Sequence, residues 1–322
     1  MAHSERRGGG CLTALAVLLG LALLAVGAGT LWLVATTQPA QVREPAASSD
    51  APRSFEDYGW AELSEISSQI ASAPTAEEAA AVASSHGIEL GDTRALTLRD
   101  GTEVVLRVVG FAQDERADGS GRAGITLLTS PLTLGPMSSD DVNEGGWEAS
   151  GLRSWLAGEG AALLPDDLAE AVVTVSKATS SRALRYGASD VSAAVTTADD
   201  ALWVPSLSEV CGSVTLMTDE YGTELSASTE YVDFAPYDQL LSSEGAQYDF
   251  FRSQGVSGAS EAAPALVASL GGEVVPWWLR TSYPFTYEGS SERYCYQVMA
   301  SGLPSGLAPA SSEAGVVVGL CI

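Results

Sequence analysis

Histidine, cysteine and the carboxylates limit what chemistry this chain can do. Only two histidines occur in 322 residues, His3 and His86. A Ser-His-Asp relay would have to run through His86, and a multi-histidine zinc site cannot be assembled. His86 falls at the end of a predicted helix, where a cation is favourable in any case. No catalytic, metal-binding or cofactor-binding residue is assigned on these grounds. Asp and Glu number 41; a pair of them could act on a glycoside, but their abundance singles out no pair. The loop Asp114, Glu115, Asp118, Gly119, Ser120 offers oxygens of the kind calcium takes. It lacks the full Asp-x-Asp-x-Asp-Gly pattern and the distant glutamate, and reads as a hairpin-type loop. Beyond Cys11 the cysteines are Cys211, Cys295 and Cys321, an odd number that leaves at least one outside any intrachain bridge. Cys295 and Cys321 lie on predicted late strands and are the one pair that could bridge; three buried thiols are the other reading.

The elements that must position these groups begin after an uncharged apolar run. Residues 11–36 carry no charge and, at about 1.5 Å per residue, suffice to cross a hydrocarbon core about 30 Å thick. Arg6 and Arg7 precede the run, which places a short tail, residues 1–10, in the cytoplasm and the remainder outside. Cleavage after Ala28 is the competing reading, but Leu31 to Val34 extend the apolar run beyond the usual signal-peptide length. Cys11 precedes the run and is poorly placed for lipidation. Residues 37–53, rich in Pro, Ala, Ser and Gln, read as a flexible tether.

Residues 54–90 read as a helical pair. Trp60, Leu63, Ile66 and Ile70 recur at helical spacing. Pro74 ends that helix, Thr75 with Glu78 opens the next as a capping box, and Gly87 followed by Ile88 ends it. From residue 91 to 322 the pattern is that of one loop-rich α+β domain. Asp100-Gly101 between two alternating runs signals a hairpin. Trp147 to Leu156 reads as one helix, and Ala246 to Phe251 as another. Short strands are expected at Ile125 to Leu128, Val172 to Val175, Leu202 to Val204, Pro276 to Leu279, Tyr294 to Met299 and Val316 to Leu320.

The formal net charge is −25. Glu5, Arg6 and Arg7 contribute +1, so the rest carries −26, a field that repels phosphate backbones and makes nucleic acid an unfavourable partner.

Several segments in order carry a resemblance: Asp100-Gly101-Thr102, Ala117-Asp118-Gly119-Ser120-Gly121 with Ala123-Gly124-Ile125-Thr126, and Gly145-Gly146-Trp147-Glu148-Ala149-Ser150 with Leu152-Arg153-Ser154-Trp155-Leu156. Leu163-Leu164-Pro165, Leu202-Trp203, Trp277-Trp278-Leu279-Arg280 and Gly315 to Leu320 follow. The set resembles the domain-of-unknown-function-6273 family of exported and surface proteins of Gram-positive bacteria. That resemblance implies an extracellular domain over roughly residues 93–322, distantly similar to C-type-lectin-like and formylglycine-generating-enzyme-like folds. The close cysteine pair that binds copper in the latter enzymes is absent, as are the calcium-and-sugar tripeptides of true C-type lectins. Relatives often end in Gly-Val-Arg-Pro, whereas Gly315 to Val318 carry no arginine.

The tryptophans within these motifs are the remaining binding candidates. Trp277 and Trp278 are neighbours on a predicted strand and face opposite ways, so both cannot point inward if the strand is regular and one could stand exposed in a groove; packing of the tryptophans into the core is the other reading. Arg280 shares the face of Trp278; an arginine beside an aromatic binds a carboxylate or a sugar face, or satisfies a buried acid. Trp147, Trp277, Trp278 and Arg280 are therefore the candidate ligand-binding residues. The expectation is a membrane-anchored, non-catalytic surface domain that binds a glycan, peptide or envelope component. A scaffold ectodomain without a small ligand and a carboxylate-based glycosidase are the alternatives.

Overall fold

The computed structural model describes residues 53–322 except 142–144, 181–183, 186–193, 222–224, 228–229 and 287–292. The chain divides into two units, Met1–Ala51 and Pro52–Ile322. The expected cytoplasmic tail, the membrane segment 11–36 and all but the last residue of the tether lie outside the described residues. Among the described residues no helix is long and apolar enough to cross a membrane.

The second unit is α+β. Its first helix, Trp60–Ala71, buries Trp60, Leu63, Ile66 and Ile70, the expected stripe. The second, Ala76–Ser85, starts at Thr75, whose hydroxyl accepts the Glu78 N–H. It ends where Gly87 and Ile88 donate back to Ser84 O and Ala83 O. This pair packs into the same apolar core as the strands that follow. The Ser67 hydroxyl donates to the C-terminal Ile322 carbonyl and accepts the Gly124 N–H at 3.1 Å.

β1 (Thr93–Thr97) and β2 (Glu103–Phe111) form the hairpin that Asp100-Gly101 signals. Gly101 takes φ +88° at the turn, a conformation that costs a residue with a Cβ. β3 (Ile125–Thr129) and the last strand, β17 (Gly319–Cys321), complete a four-stranded sheet in the order β1-β2-β3-β17. A five-stranded sheet lies in the order β15 (Gly306–Pro309), β14 (Tyr294–Val298), β12 (Trp277–Ser282), β16 (Ala314–Gly315), β4 (Leu134–Gly135). The remaining strands pair in twos: β5 (Val175–Ser180) with β7 (Val195–Asp200), β6 (Leu184–Arg185) with β13 (Phe285–Thr286), β8 (Leu225–Ala227) with β9 (Glu230–Val232), and β10 (Ala268–Leu270) with β11 (Glu273–Val275).

Several expected elements shift. The single helix expected over Trp147 to Leu156 is two, Gly146–Ala149 and Gly151–Trp155. Ser150 breaks it by taking extended backbone, and its hydroxyl then caps the second helix by accepting the Arg153 N–H. Of the expected strand Val316 to Leu320, only Gly319 and Leu320 lie in a strand, β17; β16 ends at Gly315, just before the expected start. The residues around Val172 to Val175 become a strand only from Val175 onward. Leu202 to Val204 contributes one bridge, Trp203 to Gly319.

β12 is interior to its sheet, and all six of its residues are buried. Two apolar clusters lie against it. Trp278 belongs to the one that includes the N-terminal helices; Trp277 and Leu279 belong to the other, with Phe250, Phe251 and Tyr296. The opposite facing of the two tryptophans is as expected. Neither stands exposed in a groove: Trp277 is 3% and Trp278 0% exposed, because both faces of the strand are covered. The possible Cys295–Cys321 bridge is not formed. Both residues are buried thiols, one on β14 and the other on β17, strands of different sheets.

Candidate functional site

Two places gather functional side chains, and they differ in access. The first is a buried ion network between the sheets. β5 alternates, and Lys177 occupies an inward position between Val175 and Thr179. Its ammonium donates to Asp114 Oδ1, to Glu209 Oε1 at 3.0 Å and to the Tyr248 hydroxyl at 2.8 Å. The Trp203 ring lies 4.0 Å from the same nitrogen. Gly319 lets β17 lie on that ring, since a Cβ there would stand 2.6 Å from it.

Glu209 comes from the short helix Leu207–Cys211. The Ser206 hydroxyl accepts the Glu209 N–H, and Glu209 Oε2 accepts the Ser206 N–H at 2.9 Å, a complete capping box. The same carboxylate takes both ends of Arg280, at 2.5 Å and 2.9 Å, a bidentate fork. Arg280 also donates to the carbonyls of Val204, Ala178 and Glu244. Asp114, in the loop after β2, accepts the Thr126 hydroxyl at 2.6 Å through Oδ2. Glu244 accepts the N–H and the hydroxyl of Ser180, each at 2.7 Å, and the Thr281 hydroxyl.

Burial and charge compete in this network, with different results. Burial acts to raise Glu209, but Arg280 and Lys177 outweigh it and hold the carboxyl at about 2. Burial acts to lower Lys177, but Asp114 and Glu209 outweigh it and hold the ammonium above the ordinary lysine value. In Glu244 burial wins and the carboxyl is raised. Two cations therefore face Asp114 and Glu209, and Glu244 is the acid that burial pushes toward its neutral form.

The second place is an open groove of ≈ 450 Å³ beside β4, the edge strand of the five-stranded sheet. Trp155, half-buried, and Leu134, 43% exposed, both line it. Ser138 and Ser139 border it, and Leu152 and Val316 lie at its base. Trp155 ends its helix where a π-helical turn, Leu156–Gly160, begins. Such turns recur at functional sites. The indole N–H donates to Glu159 Oε2 at 3.0 Å, fixing the ring. Trp278 lies one layer below and donates to Gly135 O at 2.7 Å, propping β4 from inside.

The residues expected to bind ligand are thus dispersed. Trp278 supports the groove from within the core. Trp277 lines a different cavity, ≈ 300 Å³, with Phe250, Phe251 and Arg107, and its N–H is taken by Leu266 O. Arg280 is sealed in the ion network. Trp147 is 0% exposed and donates to Asp200 Oδ2, which also accepts from Arg153. Neither cavity is lined by a member of the ion network. The loop considered for calcium turns its acids on neighbours instead: Asp118 accepts from Ser120, and Glu115 pairs with Arg122 at 2.9 Å. Among the described residues no group of three or more His, Cys, Asp or Glu side chains could hold a metal ion.

Sequence reasoning passed over Lys177 and Glu209, and did not single out Trp155 among the motif tryptophans. The Ser-x-x-Glu pattern at Ser206–Glu209 was a readable capping signal. A lysine between apolar residues of an alternating strand was another.

This fold and these motifs belong to a defined family. The family model described as Domain of unknown function (DUF6273) matches residues 123–322, and the chain belongs to that family. The matched region takes in β3 onward, the groove and all of the ion network except Asp114. No curated protein and no solved structure matches the chain, so the lectin-like expectation rests on the motifs alone.

Proposed function

We propose that this chain is a membrane-anchored, non-catalytic surface module that binds a carbohydrate of the cell envelope in the Trp155 groove. The observation that carries the reading is a half-exposed indole, fixed by Glu159, in a concave groove on regular elements. Aromatic faces with a polar edge suit amphipathic ligands, and sugar rings present one apolar face and hydroxyls around it. Leu134 supplies a second apolar contact, and Ser138 and Ser139 supply hydrogen-bonding groups. The non-catalytic part rests on the buried glutamates, Glu209 and Glu244. Both are buried in contacts with protein groups, and a glycosidase needs its pair in a cleft.

The test is an array of envelope glycans probed with the full chain in detergent. A hit weakened at least about tenfold by Trp155→Ala, about 1.4 kcal/mol, supports the groove. Binding unchanged in that variant, or no hit on any glycan, removes the proposal. The anchored topology rests on the uncharged segment 11–36 behind Arg6 and Arg7. Protease added to intact cells should degrade the chain beyond residue 37; full protection there would reverse the orientation.

A further inference from the structure

Lysine occurs once in this protein. Of 16 basic residues, 15 are arginine, and the exception is Lys177. An arginine would serve a buried ion pair at least as well, because its planar fork and delocalised charge suit such sites better than an ammonium does. What lysine alone supplies is an amine that becomes a nucleophile once it loses a proton.

The surroundings of Lys177 have the parts for one particular reaction. Nζ is hydrogen-bonded to the Asp114 carboxyl. A second carboxylate, Glu209, stands 3.0 Å from Nζ. The Tyr248 hydroxyl is 2.8 Å from Nζ and 3.4 Å from Asp114 Oδ1, so it spans the amine and that oxygen. The other carboxyl oxygen, Oδ2, is held by the Thr126 hydroxyl at 2.6 Å. Lys177, Asp114, Glu209 and Tyr248 are all buried, which shields the group from bulk water. We propose that Lys177 and Asp114 condense to an intramolecular isopeptide bond, with Glu209 and Tyr248 moving the protons.

The ion pair first becomes a neutral amine and a neutral carboxyl, as one proton crosses the Lys177–Asp114 hydrogen bond. The Nζ lone pair then attacks Asp114 Cγ, forming the C–N bond, and the carbonyl electron pair moves onto Oδ2, where Thr126 stabilises it. The nitrogen gives its surplus proton to Glu209 Oε1. The carbonyl re-forms, the Cγ–Oδ1 bond breaks, and the departing hydroxyl takes a proton back from Glu209 through Tyr248 to leave as water. Ammonium and carboxylate become amide and one water, and Glu209 and Tyr248 end unchanged. The product removes one buried cation and one buried anion together. What remains, Arg280 and Glu209, is a self-neutralising bidentate pair, so the bond relieves the desolvation cost of the two charges it consumes. It would tie the loop after β2 to β5, elements that come together across 63 positions of sequence.

A protease specific for lysine tests this directly, because the denatured full chain has one cleavage site. If the bond is present, the purified wild-type chain resists cleavage at Lys177. Peptide mapping with trypsin then yields segments 108–116 and 154–182 as one branched species, lighter by one water. Asp114→Ala restores cleavage. Asp114→Asn, which condenses with loss of ammonia instead, keeps the resistance and gives the same branched product. If the denatured wild-type chain is cut after Lys177 into two fragments of unmodified mass, the proposal is overturned.

Discussion

The ion network and the Trp155 groove lie in the same compact unit, yet they divide chemistry and access between them. The network holds the reactive side-chain types, a lysine, an arginine and three acids, and almost none of it meets solvent. The groove meets solvent and, among the described residues, no acid lines it; Glu159, beside its Trp155, is occupied with the indole N–H. The difference follows from cost. Charges taken out of water must be paired and hydrogen-bonded by rigid elements from several directions, which closes the site. An indole can be left half-exposed at little cost, so it is free to stand at a surface. A shifted acid in this protein is therefore not, by itself, a sign of catalysis: Glu62 and Asp118, on the surface, are lowered to about 2 like the enclosed Glu209.

The largest effect that separates the two regions should come from removing the hub of the network. Glu209→Ala takes away the anion shared by Arg280 and Lys177 and leaves the arginine buried with its partner gone. Losses for such half-removed buried pairs run about 3–5 kcal/mol, and the urea midpoint should fall accordingly. A midpoint within experimental error of wild type would mean that water enters the network and that it is not sealed.

Titration should divide the network within itself. Glu209 is lowered to about 2 by Arg280 and Lys177 against burial. The folded state thus binds its proton more weakly than the unfolded chain does. Its contribution is present above the ordinary carboxylate range and is lost as pH falls toward about 2, a change of roughly 3 kcal/mol over the full range. Glu244 has the opposite sign, because burial raises it. Its contribution is present below the ordinary carboxylate range and is lost as pH rises through its raised value. Urea midpoints against pH should show an acid limb that shrinks in Glu209→Gln, and a loss as pH rises above the ordinary carboxylate range that disappears in Glu244→Gln. If Glu244→Gln steepened that second loss instead, the carboxyl would be charged and paired in the fold.

Much of the frame was legible from local rules. Trp60 to Ile70, the Thr75 cap, the Gly87 stop and the Asp100-Gly101 hairpin each depend on residues a few positions apart, and each forms as expected. The alternation that set Trp277 and Trp278 on opposite faces was also right. What sequence could not supply was which faces are covered. β12 is interior because β14 and β16 flank it, and those strands come from 17 and 37 residues beyond its start. That same distant pairing sealed Arg280 and put Cys295 and Cys321 in different sheets. The helix expected over Trp147 to Leu156 failed for a local reason: a serine favours capping over continuing, and Ser150 does so. The ion network was hidden because Asp114, Lys177, Glu209 and Arg280 are each ordinary in their own windows and become a cluster only in space.

The smallest expected effect on stability is the one that most sharpens the contrast. Trp155 packs against the core along one side only, and its neighbours Leu152 and Leu156 carry the buried contacts of that turn. Trp155→Ala should therefore cost only about 1 kcal/mol, in the range of ordinary single substitutions. Glu159→Gln should cost less still, because the indole N–H keeps an acceptor. If the groove exists to bind, Trp155→Ala should abolish most binding at that small cost, whereas a network variant should lower stability and leave the affinity of the folded fraction unchanged. A Trp155→Ala loss as large as that of Glu209→Ala would place the indole among the core-forming residues. The groove would then be a by-product of the fold, and the binding reading would lose its physical basis.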